Sequence, residues 1–83
     1  MNITVKTGGL LGKYLPAGSQ TNLAELDLPE NSTVTAVMTQ LGMPGEGSYL
    51  TIANGATIRK VERERHVLSE GDTLAIVPPL KGG

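Results

Sequence analysis

Apolar and polar residues alternate in several short segments of the chain, which is the period of a half-buried β-strand. Ile3 and Val5 alternate with polar neighbours near the N-terminus, and Leu26 and Leu28 repeat the pattern further along. Both segments are predicted to be strands with one face towards a core. The apolar residues between them, in the stretch 10–18, are interrupted by glycine. That stretch is predicted to form a loop or an irregular hairpin arm.

The clearest helical pattern lies in residues 31–42. Its large apolar residues recur at spacings of three and four, which places them on one helix face: Val34, Val37, Met38 and Leu41. Residues 31–33 are all competent N-caps, and Gly42 stands where a left-handed C-cap residue belongs. We therefore predict one short helix that buries a single apolar face.

The second half of the chain predicts further strands. Residues 49–52 form one, and Asn54-Gly55 is a favoured hairpin dipeptide before a short return strand at 57–58. After a turn at 70–72, the apolar run 73–77 predicts a strand at the centre of the sheet. Residues 1–77 are therefore predicted to be one α+β domain, with a mixed sheet of four to five strands and one main helix packed on one face.

The segment Pro78-Pro79-Leu80-Lys81-Gly82-Gly83 follows the last predicted strand and is expected to be an extended, flexible C-terminal tail. Proline fixes φ and favours an extended arm. Glycine lacks Cβ, so its backbone fits a channel that excludes other residues. The six residues span roughly 20 Å when extended, so we expect the tail to enter the active site of a partner. The reactive group is then the carboxylate of Gly83.

Composition excludes several classes of function. The 83 residues include no cysteine, so neither a disulfide nor a thiolate metal site is expected. The formal net charge of −1 predicts no binding to nucleic acid or to an anionic membrane. Apolar runs are too short to cross a bilayer and the N-terminus lacks a secretory pattern, so we expect a cytoplasmic protein.

Side-chain chemistry is equally sparse. His66 is the only histidine and has no nucleophile or ligand set near it in sequence, so we interpret it as a surface residue. The carboxylates are too scattered for a metal loop, and Asp72 is predicted to hold its turn. Basic and acidic residues interleave in the run 59–65, which is predicted to be a solvated loop. No catalytic side chain is expected, and no metal or bound cofactor.

The order of elements and the tail resemble the MoaD/ThiS family of sulfur carrier proteins, which have the ubiquitin-like β-grasp fold. The matching pieces occur in family order along the chain: Leu28-Pro29-Glu30, Thr33-Val34, Leu41-Gly42, Asn54-Gly55, Leu68 with Gly71-Asp72 and Leu74, and Pro78-Pro79 with Gly82-Gly83. The stretch from Leu10 to Gly18 departs from the family pattern.

The resemblance implies a reaction at the chain end. A ubiquitin-activating-type adenylyltransferase, MoeB/ThiF-like, would use ATP and Mg²⁺ to adenylate the Gly83 carboxylate. A persulfide donor would then convert it to a thiocarboxylate. A sulfur-accepting synthase subunit, MoaE-like or thiazole synthase-like, would take the tail residues 78–83 into its site. At most, the chain is the small subunit of a sulfurtransferase such as molybdopterin synthase.

Apolar residues near the tail are predicted to form a docking patch for a partner: Leu50, Ile52, Leu74 and Ile76. The alternative is that all of them belong to the core. The Pro78-Pro79 pair and the length of the chain favour molybdopterin biosynthesis over thiamine or another sulfur pathway. Two other functions stay open at this point, a ubiquitin-like modifier that forms isopeptide bonds and a non-reactive β-grasp interaction domain.

Overall fold

The computed structural model describes residues 1–16, 18–43 and 49–78. These residues form five strands and one α-helix: β1 (Asn2–Thr7), β2 (Leu23–Asp27), α1 (Val34–Gln40), β3 (Leu50–Ala53), β4 (Ala56–Ile58) and β5 (Thr73–Val77). Two 3₁₀ helices lie at Gly9–Tyr14 and Lys60–Glu62. The predicted α+β class and mixed sheet are confirmed.

The strands form one sheet in the order β2-β1-β5-β3-β4. The two central strands, β1 and β5, are parallel, whereas β2, β3 and β4 pair antiparallel with their neighbours. β5 lies at the centre, as its continuous apolar sequence predicts. The turn between β3 and β4 has positive φ at Asn54 (49°) and Gly55 (86°), which explains the choice of this dipeptide.

The core lies on the side of the sheet that α1 covers. Alternate residues of the two central strands are buried and join the apolar face of the helix in one cluster: Ile3, Val5, Leu74 and Ile76 from the strands, and Val34, Val37 and Met38 from α1. Fully burying such side chains is worth about 1.5–3 kcal/mol each. Tertiary packing therefore stabilises a helix that is too short to be stable alone.

The first turn of α1 is satisfied by its own cap and by a neighbouring segment. The Thr33 hydroxyl accepts a hydrogen bond from the Ala36 N–H at 3.1 Å. The N–H groups of Val34 and Thr35 donate to the carbonyls of His66 and Arg63, each at 3.1 Å. These bonds pair the N–H groups that a helix start leaves free, and they dock α1 against the chain segment before β5.

The stretch after β1 differs from its prediction as a loop or hairpin arm. Residues Gly9–Tyr14 form a 3₁₀ helix, and Leu11 and Leu15 are buried in the core. A Cβ at Gly12 would overlap the side-chain oxygen of Asn22, so this helix approaches the turn before β2 more closely than a larger residue allows. Gly12, which suggested a loop, instead permits close packing.

The charged run 59–65 is also only partly solvated, because Arg63 is 4% exposed. Its guanidinium donates to the carbonyl oxygen of Tyr49 and, at 3.3 Å, to the hydroxyl of Thr51. That hydroxyl donates in turn to the Ile58 carbonyl at 2.8 Å. Arg63 thus ties the start of β3 to the segment that follows β4.

Candidate functional site: the end of β5 and the open face of the sheet

The predicted reactive tail follows directly from the central strand. β5 ends at Val77, and Pro78 is exposed immediately beyond it. Both neighbours of β5, β1 and β3, are hydrogen-bonded to it, so the strand that leads into the tail is paired along both of its edges. Residues 79–83, including Gly83, lie outside the described residues, and their predicted role stays a prediction.

An apolar patch lies on the face of the sheet opposite α1, beside the end of β5. We define the tail-side patch as Leu50, Ile52, Ala75 and Val77. Leu50 is directly opposite Val77 and Ile52 is opposite Ala75, so the four side chains form two adjacent cross-strand pairs. Leu50 is 38% exposed and the other three are partly exposed.

Two of the four predicted docking residues are corrected by this geometry. Leu74 and Ile76 are fully buried, because alternate residues of a strand point to opposite faces and these two point towards α1. A partner cannot reach them without unfolding the domain. Ala75 and Val77 take their places on the open face, whereas Leu50 and Ile52 are accessible as predicted.

Polar residues border the tail-side patch on both sides. Lys6 of β1 is exposed and lies opposite Ala75, and Thr57 of β4 lies opposite Ile52. Beyond Lys6, the face continues into a shallow depression between β1 and β2 that includes Thr4, Glu25 and Thr73. An apolar centre with a polar rim is the composition of a protein-binding surface.

Two side chains on the core side fix the start of β3, and therefore the position of Leu50. Tyr49 is half-buried, and burial together with the neighbouring Tyr14 raises the pKa of its phenol. Arg63 holds the Tyr49 carbonyl, and burial lowers the pKa of its guanidinium. Sequence reasoning missed Arg63, because the alternation of charges around it gives no sign that one of them is buried.

The remaining candidates from the sequence are His66 and the carboxylates. His66 lies in a shallow depression with Thr57, Glu62 and Arg65, and its backbone carbonyl is used to dock α1. The part of the chain that the structure describes contains no cluster of three or more histidine or carboxylate side chains able to hold a metal ion.

Asp72 holds its turn as predicted, since its carboxylate accepts from the Ser69 N–H at 2.8 Å. Among the described helices, none is long and apolar enough to cross a membrane.

Comparison with known proteins places this arrangement in a family. The ThiS family matches residues 16–83, most of the chain and all of the tail. No curated protein sequence gives a significant match.

Solved structures share the fold over nearly the whole chain. The small archaeal modifier protein 1 of Methanosarcina acetivorans is 24% identical, with a TM-score of 0.70 over 99% of this chain and 96% of its own. A Pyrococcus furiosus protein assigned as subunit 1 of the molybdopterin converting factor is 17% identical, with a TM-score of 0.71 over 95% of this chain and 98% of its own. The thiamine biosynthesis protein ThiS of Geobacter metallireducens is 18% identical, with a TM-score of 0.68 and full coverage of both chains.

The five-stranded mixed sheet with one covering helix is therefore the ubiquitin-like β-grasp fold, as the sequence resemblance implied. The structural likenesses establish the fold, and the match over residues 16–83 establishes the family. The chain belongs to the ThiS family of ubiquitin-like sulfur carriers.

Proposed function

We propose that this sulfur carrier is loaded at the carboxylate of Gly83, which an activating enzyme adenylates and a sulfur donor converts to a thiocarboxylate. The observation that carries the proposal is the family match through residue 83, on a strand that ends at the tail. The composition supports it, since the chain has no cysteine to carry sulfur on a side chain.

In each step of this reaction the bonds formed and broken and the leaving group are defined. The carboxylate oxygen attacks the α-phosphorus of MgATP, and pyrophosphate leaves. The terminal sulfur of a persulfide on another protein then attacks the acyl-adenylate carbonyl, and AMP leaves. A thiol reductant cleaves the sulfur–sulfur bond of the resulting acyl disulfide, which releases the thiocarboxylate and a new disulfide. The carrier supplies the carboxylate, whereas its partners supply the catalytic side chains, ATP and Mg²⁺.

The tail-side patch is the surface we assign to docking of the activating enzyme. Docking next to the base of the tail fixes one end of an arm whose other end must reach a reacting phosphate, and such positioning lowers the entropic cost of the reaction. Leu50 and Val77 form the cross-strand pair nearest Pro78, and Lys6 at the rim favours an acidic counterpart on the partner.

For the acceptor of the sulfur we propose the molybdopterin branch. The Pro78-Pro79 pair before the tail supports this choice over thiazole formation. The discriminating experiment incubates the thiocarboxylate form with a MoaE-like synthase subunit and its precursor, and in parallel with a thiazole synthase. Sulfur transfer in the first reaction supports the proposal, whereas transfer only in the second contradicts it.

The loading step is tested with the variant Gly83→Val. A β-branched side chain widens the chain end and restricts its backbone, so the activating enzyme is expected to lose ATP–pyrophosphate exchange with this variant. The free energy of unfolding is expected to equal that of the wild type, because the tail lies beyond the last strand. Exchange at the wild-type rate would contradict a reaction at Gly83.

The two other functions, a protein modifier and a non-reactive interaction domain, would give distinct results when the wild-type protein is incubated with the activating enzyme, MgATP and a sulfur donor. Covalent ladders on target proteins, with no thiocarboxylate formed, would show a protein modifier. An unchanged wild-type protein, in the presence of an activating enzyme shown to be competent, would show an interaction domain.

A further inference from the structure

The end of β1 lies next to the base of the tail. The N–H of Gly8 donates to the Ile76 carbonyl at 3.1 Å, which extends the pairing of β1 and β5 by one residue. Gly8 therefore stands beside Val77 and Pro78. The residues before position 16, Gly8 among them, precede the segment that the ThiS family matches.

The close approach of Val77 and Pro78 is what favours glycine at position 8. Its backbone is ordinary extended chain, with φ −111° and ψ 147°, so any residue can adopt its conformation. A Cβ at Gly8, however, would lie 3.1 Å from Cδ of Pro78 and 3.1 Å from Cγ1 of Val77. These distances are shorter than normal carbon–carbon contacts, so an added methyl group must push one of these neighbours away.

The neighbouring Gly9 provides a contrast. Its φ of 54° lies in the left-handed region, where a side chain is strained. A Cβ at Gly9 would nevertheless lie 3.6 Å from Cγ of Pro78, an ordinary van der Waals distance. Substitution at Gly9 therefore strains the backbone but leaves Pro78 in place, whereas substitution at Gly8 crowds both Pro78 and Val77.

We infer that Gly8 is a positioning residue for the sulfur-carrying tail: the space left by its missing side chain seats Pro78 and so sets the direction in which the chain continues. This inference rests on the proposed function of Gly83. Proline fixes its own φ and restricts the preceding residue to extended conformations, so a displaced ring is not absorbed locally. In a partner's channel, five extended residues span roughly 16 Å, and a rotation of about 10° at their base moves the end by about 3 Å.

The test compares Gly8→Ala with Gly9→Ala in steady-state activation by the cognate activating enzyme. For Gly8→Ala we expect kcat to fall on the order of tenfold, because the reacting end is misplaced. KM is expected to rise by a smaller factor, because Val77 is the one member of the tail-side patch that meets the added methyl group. For Gly9→Ala we expect a lower Tm and unchanged kcat at a temperature where the variant is folded. Equal kcat for Gly8→Ala and wild type, or an equal loss in both variants, would overturn the inference.

A second-site variant separates a moved tail from a damaged domain. In the Pro78→Ala background the ring carbons that meet the added methyl group are gone, so Gly8→Ala is expected to lower kcat by a smaller factor than in the wild type. An equal factor in both backgrounds would show that Pro78 is not the group displaced.

A measurement on the free protein keeps the inference separate from the proposed function. The ¹³C shift of Pro78 Cδ and the nuclear Overhauser effect between Gly8 Hα and Pro78 Hδ are expected to change in Gly8→Ala and to persist in Gly9→Ala. If the wild type is never activated, the proposed function is wrong. If these signals are the same in Gly8→Ala and wild type, the seat for Pro78 is wrong.

Discussion

Truncation of Leu50 to alanine tests the tail-side patch. Full burial of a leucine side chain is worth about 1.5–3 kcal/mol. Because 38% of Leu50 is exposed in the free protein, a partner that covers it gains about 0.6–1.1 kcal/mol by the same scale. At about 1.4 kcal/mol per tenfold change, the KM of the activating enzyme for Leu50→Ala is expected to rise about three- to sixfold. The kcat should be unchanged, since the truncation removes a docking contact and leaves the residues of the tail unaltered.

The assay is ATP–pyrophosphate exchange at several carrier concentrations, with the folded fraction of each variant checked by circular dichroism. Val61→Ala is the control, because Val61 is 69% exposed on the 3₁₀ helix Lys60–Glu62, outside the patch. Its KM is expected to match the wild type. A wild-type KM for Leu50→Ala, or an equal rise in both variants, would refute docking through the patch.

The other predictions concern stability. Arg63→Met removes the donors to the Tyr49 carbonyl and the Thr51 hydroxyl. We expect the free energy of unfolding to fall by about 2 kcal/mol, which lowers the Tm by about 8–16 °C. The control Arg65→Met, at an exposed position, should leave the Tm unchanged. Thr33→Ala removes the cap of α1 and is expected to cost about 1 kcal/mol in urea unfolding; no loss would contradict the capping bond. Hydrogen bonds from Arg59 lower the pKa of Glu62 in the folded state. The carboxylate therefore stabilises the fold at pH values above its unfolded pKa, and this stabilisation is lost as the pH falls through the folded pKa. A plot of Tm against pH that is as steep for Glu62→Gln as for the wild type would contradict this.

The elements that the sequence predicts well are those whose signal is local. The stripe from Val34 to Leu41 and the alternation of Ile3 and Val5 each lie within one element, and the structure confirms the helix and the strand. The central place of β5 was also predicted from its continuous apolar sequence, although in the structure only alternate residues of this strand are buried.

The features that the sequence did not predict depend on remote partners. Gly12 lies in a 3₁₀ helix, where the side chain of Asn22 packs against it and leaves no room for a Cβ. Arg63 is buried because Tyr49 and Thr51 accept its hydrogen bonds. The docking residues on β5 were assigned to the wrong face. All residues from Leu74 to Val77 are apolar, so the sequence does not show whether Leu74 and Ile76 or Ala75 and Val77 face α1. The strand pairing and the burial of Leu74 and Ile76 show it.

The central claim is that sulfur is carried at Gly83, and intact mass spectrometry tests it most directly. The wild-type protein is incubated with its activating enzyme, MgATP, a persulfide donor and a thiol reductant, and its mass is compared with that of an ATP-free control. The account predicts a gain equal to replacement of one oxygen by one sulfur, located at Gly83 by fragmentation. A wild-type mass after full turnover of ATP, or sulfur at any other residue, would contradict it.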